Sequence, residues 1–309
     1  MIAEARMSDF SNDLAEICEG SAGILLHGSS PKPADSSPIP YWEQDRQAME
    51  TGLGSDEPHR WINTCVSKYL SESANQLLAL GALLRAETVA ASLDPLVRAI
   101  IERVGAVNWL IEPGGTTRKR VIRSGLSFLV CLQHYRDALS MLEGPKDHRT
   151  KLKAEQRRIS ELMPKWFAID RPPTDPDDEN SKLTMDPRLW VIESEKYPGL
   201  TDLAGLGLDG SNVTANLAAG SYYGFSGFAH PNVVFGQEHQ SVATDGAITF
   251  TYPNQDLEKT IRFAVGSFGE GLKRRAAYYE ADEEGVVKKV DELSDRLDSI
   301  SALPDKPCS

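Results

Sequence analysis

One histidine and two arginine-bearing stripes have the residue types and spacing to do chemistry. His230 stands near the end of residues 210–237, GSNVTANLAAGSYYGFSGFAHPNVVFGQ, a run with no Asp, Glu, Lys or Arg in a chain that is 25% charged. Small residues alternate there with Leu217, Tyr222, Tyr223, Phe225 and Phe228, a composition that lets neighbours approach closely around an aromatic cluster. Ser211 or Asn212 suits a helix N-cap and Pro231 suits a helix stop, so the spacing predicts a helix over about 211–230. That helix delivers an imidazole at its C-terminal end, where the dipole favours a proton. Such a group acts as general acid, general base or hydrogen-bond anchor, and a histidine that satisfies a core polar network fits the same residues. Tyr222, Tyr223 and Asn232 flank it as candidate ligand-binding groups.

Arg98 and Glu102 lie one helical turn apart, with Gly105 and Trp109 continuing their stripe. Two readings fit: an exposed ion pair, or a pair on a helix buried on several sides and facing the His230 helix. Further on, Arg120, Arg123, Ser127 and His134 project within about 60° of one another on a helix. Two guanidiniums hold a phosphate or carboxylate in bidentate fashion, and a hydroxyl and an imidazole complete a polar wall. A solvated helix flank is the alternative. Glu102, His134 and His230 lack paired metal-ligand spacing, and no GxxxxGK[ST], HExxH, GxSxG or strand-led GxGxxG is present. Neither a metal nor a cofactor is expected.

These groups need elements to position them. Phe10, Leu14, Ile17, Ile24 and Leu25 recur at helical spacing within 8–27, before GSSPKPADSSPIP makes a surface loop. A long helix or a broken pair is expected over about 57–91, carrying Trp61, Ile62, Cys65, Val66, Leu70, Leu77 and Leu84. Asp94-Pro95 caps the next helix, and Glu112-Pro-Gly-Gly stops it. Thr116 or Thr117 opens another that runs to near Gly144-Pro145, and 146–167 reads as a basic helix with Leu152, Ile159, Leu162 and Trp166. Residues 170–186, DRPPTDPDDENSKLTMD, have almost nothing to bury and read as a loop or linker. Asp245-Gly246 between two alternating runs predicts a hairpin over about 241–252. A helix resumes at 256–279, and Val286, Val290, Leu293, Leu297 and Ile300 then form a heptad-like stripe that either docks on the core or pairs with a second chain.

The expected fold is mainly α, roughly seven to nine helices in a bundle around the uncharged helix, with one small β-hairpin. The expected organisation is an N-terminal helix and loop (1–56), one half of a helical core (57–168), an acidic Pro-rich loop (169–186) and the second half of the same core (187–309).

Composition narrows the partner classes. A net charge of −12 argues against a protein that coats nucleic acid indiscriminately, but the charge is uneven. Residues 117–166 hold twelve Lys/Arg against five acids, a net of +7, which leaves −19 for the rest. Cys18, Cys65, Cys131 and Cys308 are far apart, as expected of reduced thiols. No run of about 18 apolar residues and no signal-peptide pattern occurs, so a cytoplasmic protein without a membrane span is expected.

The helix tail YxxxSGFAHPN from Tyr222, with LVRAIIERVGAVNWLI over 96–111, resembles poorly characterised bacterial helical proteins allied to the HEPN superfamily. The resemblance touches two separate segments. It implies a helix ending in a Tyr, Ser and His arrangement beside a helix bearing Arg and Glu. The ribonucleases of that superfamily carry Arg, four to six residues and His, and none of Tyr223, Gly224 and Phe225 is basic, so His230 alone matches. The implied function is binding of a nucleic-acid or nucleotide-like anion, with His230, Arg98 and Glu102 as catalytic residues if there is cleavage. A non-catalytic dimerisation module and a helical small-molecule enzyme with an aromatic pocket are the alternatives.

Overall fold

The computed structural model describes residues 2–26, 41–86, 93–141, 146–172, 174, 182–209, 240–242, 248–250, 254–279 and 283–301. The fold is mainly α, as the periodicity predicts. Among the described residues the helices are α1 (Ile2–Leu26), α2 (Tyr41–Leu53), α3 (Glu57–Arg85), α4 (Leu93–Leu110), α5 (Thr117–Met141), α6 (Lys146–Trp166), α7 (Leu200–Leu208), α8 (Asn254–Tyr279) and α9 (Glu283–Ser301). The expected uncharged helix, and with it Tyr222, Tyr223, His230 and Asn232, lies outside the described residues. The hairpin is present: β4 (Gln240–Val242) pairs antiparallel with β5 (Ile248–Phe250), Ser241 opposite Thr249.

The chain forms two compact units, one of residues Met1–Ser37, Lys68–Asn108 and Leu200–Ser309, the other of Pro38–Ser67 and Trp109–Gly199. In the first, α9 packs against α1 and α8. Val290, Leu297 and Ile300 of the heptad-like stripe are buried, and Arg296 pairs with Glu16 of α1 at 2.5 Å, so the stripe docks within its own chain. The crossing of α4 and α7 depends on two glycines. A Cβ on Gly105 would stand 1.8 Å from the Leu203 carbonyl oxygen, and one on Gly207 would stand 2.1 Å from that of Ile101. The last turn of α7 leaves carbonyls without helical partners. Asn108 of α4 donates to the Leu206 carbonyl at 2.8 Å and Ser267 of α8 to that of Gly207 at 2.8 Å.

The second unit is built on α5 and α6, which pack so closely that a Cβ on Gly125 would meet Met163 Sδ at 2.7 Å. Trp61 of α3 closes this core, stacked on Phe128 and tilted against Trp166. A three-stranded antiparallel sheet follows, β1 (Ile169–Asp170), β2 (Val191–Ile192) and β3 (Glu195–Lys196) in that order. This corrects the expectation of one strand pair and of a plain loop from 169. Each strand has two residues, too few for alternation to show in a sequence.

One side chain ties this sheet region to α6. Pro164 has no N–H for the Ser160 carbonyl one turn earlier, and Arg171 donates to that oxygen at 3.3 Å. The same guanidinium lies 4.1 Å from the ring centroid of Trp190, which is fully buried and donates through Nε1 to the Thr184 carbonyl.

Candidate nucleic-acid interface

The basic segment of 117–166 becomes two helices that use their charge differently. α5 begins where Thr116 Oγ1 accepts from the Lys119 amide, an N-cap. Around residues 120–130 it is enclosed on most sides, by α6, α2, β3 and the 3-10 turn Pro187–Leu189. Its stripe of Arg120, Arg123 and Ser127 is therefore buried, neither a solvated flank nor an open wall; Ser127 is wholly enclosed. His134, further along, is exposed.

Burial of arginine demands anionic partners, because an unpaired charge cannot leave water cheaply. Arg120 makes a bidentate pair with the fully buried Asp45 of α2, Nε to Oδ2 at 2.5 Å and Nη2 to Oδ1 at 2.7 Å, and Thr117 Oγ1 donates to the same carboxylate. Arg123 reaches Glu195 of β3 at 2.7 Å, Glu112 at 2.7 Å and the Trp109 carbonyl at 2.6 Å. No spacing rule marks Asp45, Glu112 or Glu195 as partners from the sequence alone. Beside Asp45, His59 is buried with Trp42 against its ring and Asn63 at its Nδ1. Its Nε2 has no hydrogen-bond partner among the described residues. Burial lowers the His59 pKa, outweighing the opposing pull of the Asp45 charge.

At the start of α5, Arg118 and Lys119 point outward and meet the β2–β3 turn. Glu193 takes Arg118 Nε at 2.6 Å and also Nη2, while Lys119 Nζ lies 3.5 Å from Glu195. The Arg118 hydrogen bonds hold the Glu193 carboxyl below its usual pKa.

α6 buries Gln156, Ile159, Ser160 and Met163, half-buries Leu152, Leu162 and Trp166, and exposes most of its charged positions. It carries seven Lys/Arg against three acids, a net of +4. Arg157 pairs with Glu161, and Arg158 with Glu155 and Glu57. Lys146, Lys151, Lys153 and Lys165 are exposed and Arg149 half-buried, and none has a carboxylate at ion-pair distance among the described residues. At the N-terminal end of α6, His148 meets Tyr135 of α5 edge-on at 5.6 Å, and Tyr135 is 51% exposed. Unmatched cations on α6 thus stand beside an exposed aromatic pair at its N-terminal end.

No family model, curated protein or solved structure matches this chain. The remaining predicted site residues are placed as follows. Arg98 and Glu102 form a partly buried ion pair at 2.7 Å on α4, a helix whose Val97, Ile100, Ile101, Val104 and Val107 are all buried. Tyr222, Tyr223, His230 and Asn232 lie outside the described residues. Cys18 is a free, buried thiol, and burial pushes it up to about 12. No described helix is long and apolar enough to cross a membrane.

Proposed function

We propose that this protein binds single-stranded nucleic acid along the exposed face of α6. α5 and α6 carry the same kind of charge and use it differently, and that difference carries the reading. The buried arginines of α5 are neutralised by internal carboxylates. Lys146, Arg149, Lys151, Lys153 and Lys165 of α6 are not, and cations left to water are available to phosphates. From 146 to 165 they span about 28 Å of helix. The exposed Tyr135–His148 pair supports a single strand over a duplex, because unpaired bases offer faces for stacking. The HEPN-like pattern around His230 supports the same ligand class, and His230 is the group that would transfer a proton if the bound strand is cleaved.

The test uses a labelled single-stranded RNA of about 20 nucleotides, longer than one helix face needs. The variant Lys146→Gln/Lys151→Gln/Lys153→Gln/Lys165→Gln changes only exposed side chains, so its circular dichroism and melting should match the wild type. Its RNA affinity is expected to fall at least about a hundredfold near 50 mM salt, four phosphate contacts being lost. Equal affinity in the two proteins would sink the reading. The same samples, run on a gel beside His230→Ala, show whether any cleavage depends on that imidazole.

A further inference from the structure

The track of unmatched cations on α6 does not stop at Lys165. The next residue, Trp166, has its carbonyl oxygen taken by Arg118 Nη2 at 3.2 Å, and the Arg118 guanidinium lies 4.9 Å from the Phe167 ring centroid. Arg118 is thereby fixed at the C-terminal end of α6 by contacts that have nothing to do with Glu193, and its side chain is still 53% exposed. Lys119 comes next in the chain, 49% exposed. The remaining contacts of this corner come from the β2–β3 turn, which brings Glu193 onto Arg118 and Glu195 towards Lys119.

The turn itself is unusual. Register Ile192↔Glu195 leaves a two-residue loop, Glu193-Ser194, with φ of 50° and 72°. Both residues occupy the left-handed region, which such a loop normally fills with Asn-Gly or Gly. The turn is held in that conformation without the residue types that favour it, and its outermost side chain is a carboxylate set bidentately on a guanidinium at the end of a basic track.

We propose that the Glu193 turn is an internal anionic cover on the terminal cation of the α6 surface, displaced by a phosphate of the bound strand. This rests on the proposed nucleic-acid reading and adds to it a built-in competitor. The exchange is like for like: two carboxylate oxygens leave Arg118 and two phosphate oxygens take their place. Arg123 does not depend on Glu193, because Glu195, Glu112 and the Trp109 carbonyl hold that side chain.

The experiment compares wild type, Glu193→Gln, Arg118→Gln, the double variant and Asp295→Asn with the same labelled RNA across a salt series. Asp295 is an exposed acid of α9, so its variant makes the same change in net charge without uncovering Arg118. Glu193→Gln is expected to bind about three- to tenfold tighter than wild type at each salt concentration, with a similar salt slope, because the same phosphate contacts Arg118 in both proteins once the carboxylate is displaced. The gain should vanish in the Arg118→Gln background and be absent in Asp295→Asn. An affinity for Glu193→Gln equal to that of Asp295→Asn, or a gain that persists without Arg118, overturns the cover. Wild-type binding that needs the α6 lysines but ignores Glu193→Gln removes the cover alone, whereas no binding by either protein removes the nucleic-acid reading with it.

Discussion

Arg120 and Arg123 are three positions apart on α5, yet Asp45 lies 75 positions before the one, and Glu195 lies 72 after and Glu112 11 before the other. The sequence placed both guanidiniums on one stripe, away from Val121 and Phe128, and that geometry holds. What it lacked was the second body: a stripe of polar residues on a helix looks the same whether water or Asp45 stands opposite. Removing one partner of such a buried pair typically costs about 3–5 kcal/mol, so these arginines hold the unit together, whatever anion their spacing suits. His59, in the same pocket of charge, makes a pH prediction. Its folded pKa is lowered below the ordinary 6.5, chiefly by burial; Asp45, Glu43 and Asp56 pull it up and Arg46 pushes it down. A lowered histidine contributes stability that is present above the unfolded value and lost as pH falls below it. Unfolding free energies from urea titrations should therefore decline between about pH 7 and pH 5.5, by no more than about 1.4 kcal/mol per pH unit for this one proton. In His59→Asn the decline should be shallower, and an unchanged profile would mean that His59 is not the titrating group.

Helices were legible where caps and periodicity agreed. Thr116, Asp94-Pro95 and the apolar spacing of α8 and α9 each gave boundaries close to those observed. The two-residue strands of the β1–β2–β3 sheet carried no such signal, and α2, with only Asp45 and Met49 buried, showed no apolar face to read. The glycines of α7 were visible as composition but not as function, since only the crossing with α4 tells them apart. Gly205 has open space where a Cβ would go, whereas Gly207 would drive one into the Ile101 carbonyl. Gly205→Ala should be neutral or stabilise by up to about 1 kcal/mol through helix propensity. Gly207→Ala should destabilise by about 3 kcal/mol or more, because backbone rather than a movable side chain must give way. Thermal melts of the two variants check this, and equal effects would mean that α4 and α7 do not cross at those residues.

Charge is the property that belongs to the whole molecule. A chain of −12 repels polyanions at long range, so contact with one has to be local, on a face whose cations are not already matched. The sequence showed a basic segment of +7; the fold divides it into an α5 half neutralised by Asp45, Glu112, Glu193 and Glu195 and an α6 half in which Arg157 and Arg158 are paired and the lysines are left to solvent. The measurement that bears most directly on this division is the salt dependence of wild-type binding to the labelled single-stranded RNA between about 50 and 200 mM salt. Engagement of the four lysines, Arg149 and Arg118 predicts a log–log slope near −4.2, about 0.7 per phosphate contact, flattening to near −1.4 in the four-lysine variant. An absence of binding at the lowest salt, or a slope identical in the variant, would contradict an α6 interface.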